Sequence, residues 1–168
     1  MVEERSREEI IEEEAFLIER SGEIPEVALY SAIHYLTEDP DGPRLELEEG
    51  EVRLLHRAVM DRYLFIILRD LTPRNRDKSI YRGVERAIIN WSRLRSFADK
   101  WGYGWDEELR RVREAARSFL LREIEDVKSG VRRSCINCSA DELRAFLEEL
   151  GIEDQAIHRE IGGLCCAP

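Results

Sequence analysis

The sequence predicts an all-α protein, an antiparallel helical bundle of about five helices followed by a small C-terminal helical hairpin. Three observations carry that prediction. Apolar residues recur every three or four positions along most of the 168 residues. Capping residues and glycine or proline stops punctuate those runs. The single run rich in aromatic and β-branched residues, 63–68, has no convincing partner strand.

Ser6 with Glu9 three residues later is a capping box, and Ile10, Ile11, Phe16, Leu17 and Ile18 follow on one broad face. Gly22 then suits a left-handed helix stop. Pro25 fits the first turn of a second helix, where its missing amide hydrogen would have no partner anyway, and Val27, Ala28, Ile33 and Leu36 continue it. Residues 37–50 hold Pro40, Asp41, Gly42 and Pro43 and read as a loop. From 51 to 70, Val52, Leu55, Val59, Tyr63 and Ile66 keep helical spacing beside a second stripe of Leu54, Ala58, Phe65 and Leu68. A helix apolar over that much of its circumference belongs at the centre of a bundle.

Pro73 interrupts the pattern. Ile80, Val84, Ala87, Ile88, Trp91, Leu94, Ala98 and Trp101 then form the cleanest amphipathic stripe, broken at Gly102-Tyr103-Gly104. Asp106 is expected to cap the next helix, along which Leu109, Val112, Ala116, Phe119, Leu120 and Val127 recur with Glu123 as a polar interruption. Two helices of about 23 residues joined by so short a link should lie antiparallel, each about 35 Å long. A weak boundary at Ser129-Gly130 divides a bundle domain, 1–130, from a cysteine-containing hairpin, 131–168. No repeat of solenoid period is visible within the chain.

The net charge of −10 is unevenly distributed. Residues 1–51 carry 17 acidic and 4 basic side chains, whereas 69–100 carry 9 basic and 4 acidic. Acidic and basic helices packed together lower self-repulsion, so internal complementarity is the simpler reading of this split. A pI near 5.0 also argues against nucleic acid as a partner. Glutamates dominate residues 1–14, unlike a secretion leader, and the longest unbroken apolar run is far too short to cross a bilayer. The expectation is a cytoplasmic protein that does not enter the membrane.

All four cysteines fall in the last 34 residues: Cys135 and Cys138 as C-x-x-C, Cys165 and Cys166 side by side. Between them, Ser139-Ala140-Asp141-Glu142 is a second capping box, Gly151 a stop, and 152–161 a return helix. Travel of about 16 Å out and about 13 Å back would bring the two pairs together. Three or four thiolates, or thiolates with His158, would supply the soft tetrahedral set that zinc prefers; an iron–sulfur centre draws on the same ligands. Ordinary free thiols and a redox pair are the competing readings, although thioredoxin-like chemistry needs a βαβ context that the chain lacks.

Arg82, Arg86 and Arg93 line up opposite the apolar face of the fourth helix, with Arg74 and Arg76 upstream, a basic stripe whose forked donors could grip anions. The alternative is a solvated face. None of His34, His56 and His158 has a glutamate three positions earlier, so the Glu-x-x-His pairs of bundle metal sites are missing. Asp61 is expected to pair with Arg57 one turn away. No residue set joins a nucleophile, a base and an oxyanion donor. The leading expectation is therefore a non-enzymatic, regulatory or protein-binding module, with a protein partner or self-association. Zinc or thiol chemistry at the tail is second and anion binding third.

Overall fold

A computed structural model describes residues 5–72, 83–131 and 136–165. It is all-α, with no strand among the described residues: α1 (Arg7–Arg20), α2 (Pro25–Thr37), α3 (Glu49–Asp70), α4 (Gly83–Trp101), α5 (Asp106–Lys128), α6 (Ala140–Glu149) and α7 (Gln155–Leu164). The run 63–68 lies inside α3, which settles it as helix. No helix is long and apolar enough to cross a membrane among the described residues.

Contacts group the chain into two compact units, Met1–Tyr63 and Leu64–Pro168. In the first, α1 packs on α2. Both halves of the Ser6 capping box are present: Ser6 Oγ accepts from the Glu9 amide at 3.2 Å, and Glu9 accepts from the Ser6 amide at 2.7 Å. The broad apolar face of α1 resolves into a narrow buried stripe of Ile11, Ala15 and Ile18, at helical spacing. Phe16 and Leu17, expected on the core face, are instead exposed.

The helix stop also departs from expectation. Gly22 is not among the left-handed glycines. Ser21 leaves the helix in an extended conformation and its hydroxyl accepts from the Glu23 amide at 3.0 Å. The extended path leads to Pro25 at the first turn of α2, and Ile24 before it has φ −61° and ψ 128°, the region that a following proline imposes. Beyond α2 the chain turns tightly. A Cβ on Gly42 would lie 1.9 Å from the Tyr35 carbonyl oxygen, so only glycine permits this approach. The Leu45 amide then donates to the Leu36 carbonyl at 2.7 Å. Arg7 forks onto both oxygens of Glu51 at 2.6 and 2.7 Å, and Tyr63 donates its hydroxyl proton to Glu26.

In the second unit, α5 and α6 both pack against α7. The core side of α4 is Val84, Ala87, Trp91, Leu94, Phe97 and Ala98, close to the expected stripe, although Trp101 at its end is exposed. Trp91 is fully buried and meets Trp105 edge to face at 5.6 Å between ring centroids. Trp105, not Asp106, occupies the N-cap of α5, and no side chain caps that end. Asp106 sits one residue inside, where its charge favours the helix dipole instead of closing the first turn. Along α5 the polar interruption at Glu123 is buried with the apolar stripe.

Candidate thiol site and surface groove

Local signals in the hairpin bring its two ends together. Ser139 caps α6 with the expected box, accepting from the Glu142 amide at 3.1 Å while Glu142 accepts from the Ser139 amide at 2.8 Å. Leu143, Phe146 and Leu147 form the buried face of α6. Gly151, at φ 67°, provides the left-handed reversal, and the Ile152 amide closes onto the Leu147 carbonyl at 2.9 Å. Asp154 caps α7 through the Ala156 amide at 3.0 Å, and Ile157, Ile161 and Leu164 are buried. The two helices are of equal length, so the return leg ends where the outward leg began.

That return is fixed by backbone contact. The Ile136 amide donates to the Leu164 carbonyl at 2.9 Å, and Ile136 and Cys165 form an isolated parallel bridge. Asn137 anchors the incoming loop to Glu85 of α4 at 2.8 Å. Arg113 donates to the Leu150 carbonyl, Arg117 pairs with Asp154 at 3.2 Å, and Lys128 with Glu160 at 2.9 Å, tying the hairpin to α5.

Cys138 and Cys165 consequently meet. Their thiols lie near enough for each to influence the other's protonation. Cys138 is 4% exposed, and Cys165 is partly exposed. Burial pushes the Cys138 thiol up to about 12, reinforced by Cys165 and by the nearby charges of Glu142 and Glu85. Burial raises Cys165 as well, outweighing the opposing influence of Cys138 and Arg144. Both sulfurs are protonated thiols at neutral pH.

The other expected site residues stand apart from this pair. Cys135 and Cys166 lie outside the described residues, as do Arg74, Arg76 and Arg82. His158 bonds the Ile152 carbonyl through Nε2 at 2.8 Å, bracing the turn between α6 and α7. Among the described residues no three His, Cys, Asp or Glu side chains are grouped so as to hold a metal ion, so His158 does not join the two sulfurs. Of the basic stripe, Arg93 is exposed, while Arg86 is turned onto Asp70. Asp61 pairs with Arg57 at 2.8 Å, as its spacing predicts. His34 is exposed beside Glu38 at 3.3 Å and His56 is buried.

One surface feature was not legible in the sequence. Glu12, Ala15, Phe16 and Glu19 of α1 line a shallow open groove with Gly50, Arg53, Leu54, Arg57 and Ala58 of α3. Its floor is apolar, with Phe16 50% and Leu54 40% exposed. Its rims carry opposite charge, glutamates on α1 and arginines on α3. The available signal was that Phe16 and Leu17 lie beside the 11, 15, 18 stripe instead of on it.

Fold and surface together define an all-α protein with an exposed apolar groove and a hairpin that carries one buried and one partly exposed cysteine. The chain belongs to the family described as a repeat of unknown function (DUF7826), whose model matches residues 6–152. The match ends before α7, so Cys138 lies inside it and Cys165 beyond it. No curated protein and no solved structure was found to match the chain.

Proposed function

We propose that this chain is a protein-binding module that associates with a second copy of itself through the α1–α3 groove. The observation that carries the reading is the groove's charge pattern. Glu12 and Glu19 form one rim and Arg53 and Arg57 the other, across the apolar strip of Phe16 and Leu54. A two-fold axis through that strip sets each copy's glutamates against its neighbour's arginines and buries both apolar strips, the arrangement that a self-complementary interface requires. Arg53 and Arg57 also pair with Glu49 and Asp61 along α3, at exposed positions. Membership in a family of repeats supports the same reading, because repeat units commonly bury apolar faces against neighbouring copies.

A charge exchange tests it. Glu12→Arg with Glu19→Arg, and separately Arg53→Glu with Arg57→Glu, should each abolish self-association seen by light scattering during gel filtration. Mixing the two variants should restore a complex, since each then offers the charge that the other needs. Variants that still self-associate, or a mixture that stays monomeric beside an associating wild type, would rule this face out.

A further inference from the structure

We propose that Cys138 and Cys165 form a redox-responsive pair that closes to an intramolecular disulfide and locks the α6–α7 hairpin. The proposal rests on placement. The bridge between Ile136 and Cys165 holds the two backbone segments side by side, and the thiols of Cys138 and Cys165 influence one another although 27 positions separate them in the chain. Cys138 is two residues from Ile136, and its amide turns back to donate to the Ile136 carbonyl at 3.0 Å, which keeps it beside the bridge. A disulfide needs the sulfurs to close to about 2.05 Å, with the cysteine Cα atoms usually about 4.4–6.8 Å apart.

The oxidant class that fits is a hydroperoxide. Cys165, the more exposed thiol, attacks as its thiolate the terminal oxygen of the peroxide. The O–O bond breaks, the alkoxide or hydroxide leaves and takes a proton, and Cys165 becomes a sulfenic acid. The Cys138 sulfur, having lost its proton, then attacks the Cys165 sulfur. The S–O bond breaks and hydroxide departs as water. Two thiols have lost two electrons, and the peroxide has been reduced to an alcohol or water plus one further water. The ring so closed contains all of α6 and α7, the elements that pack on one another and, through α7, on α5. The oxidised hairpin therefore cannot open without unfolding its own base.

The test uses the full chain carrying Cys135→Ser and Cys166→Ser, which leaves one pair of thiols and an unambiguous digest. After treatment with one equivalent of hydrogen peroxide, the protein should be about 2 Da lighter, return to its starting mass with dithiothreitol, and yield one cross-linked peptide pair containing Cys138 and Cys165. Its melting temperature should rise by about 5 to 15 °C on oxidation. Wild type, treated identically, should yield the same cross-link without pretreatment. Circular dichroism of the reduced variant guards against an unfolded sample, and if it is unfolded the wild-type digest decides. Two free thiols, or overoxidation of Cys165 without a cross-link, would overturn the proposal. So would wild-type thiols that oxidise only after a chelator has removed bound zinc, because the sulfurs would then be metal ligands.

Discussion

Arg86 donates from two of its nitrogens to the two carboxylate oxygens of Asp70, each at 3.2 Å, linking the start of α4 to the last residue of α3. Arg69 adds a longer contact at 3.3 Å. Asp70 is only 3% exposed, so its charge depends on these partners. Asp70→Ala should destabilise the protein by about 1.5–3 kcal/mol, the range for hydrogen bonds to charged groups. Arg86→Ala should cost less, because Arg69 remains. Urea denaturation measures both, and equal losses or none would show that the pairing is not structural.

The turn after α2 provides a sharper steric prediction. Gly42→Ala places a methyl carbon 1.9 Å from the Tyr35 carbonyl oxygen, so the backbone must move. A loss of about 2 kcal/mol or more is expected. Gly162, inside α7 with open space around its Cβ position, should behave oppositely. Gly162→Ala should stabilise by about 0.5–1 kcal/mol through helix propensity. Thermal melts of the two variants should move in opposite directions.

The Arg7–Glu51 fork predicts a pH dependence with a definite sign. Arg7, joined by the Glu48 amide, holds the Glu51 carboxyl down to about 2 from an ordinary value of 4.5. A carboxylate more acidic in the folded state stabilises that state fully above its unfolded value. The contribution fades as pH falls from about 4.5 and is gone below about 2. The stability gap between wild type and Glu51→Gln should close over that window. A gap of constant size from pH 6 to pH 2 would mean that the fork is not formed in solution.

Burial of Cys138 should be measurable as inertness. In the Cys135→Ser, Cys166→Ser background, iodoacetamide at pH 8 should modify Cys138 far more slowly than a free cysteine, since its thiol is pushed up to about 12 and is 4% exposed. Denaturation should restore ordinary reactivity. Rapid labelling in the native state would place Cys138 at the surface.

What could be read from the chain in advance follows from range. The two capping boxes, the proline start of α2 and the left-handed Gly151 depend on residues within a few positions of each other, and all were legible. The helical recurrence also placed most of the core of α4 and the return path of the hairpin. Contacts between distant residues were not legible. Nothing local says that Arg86, counted in a solvent-facing stripe, will turn onto Asp70, or that His158 will bond the Ile152 carbonyl in place of joining the sulfurs. Phe16 and Leu17 failed for a related reason: hydrophobic pattern predicts which side chains could be buried, whereas the neighbouring elements decide which are. The α1–α3 groove is the remainder of that decision.

Self-association through the groove is the claim on which the functional reading rests, and sedimentation equilibrium of the unmodified chain tests it most directly. The reading predicts that the apparent mass rises with concentration from 19.7 kDa toward twice that value and stops there, and that Phe16→Glu with Leu54→Glu returns it to the monomer. A mass that stays monomeric for the wild type up to about 200 μM, weaker than any useful interface of this kind, would contradict it.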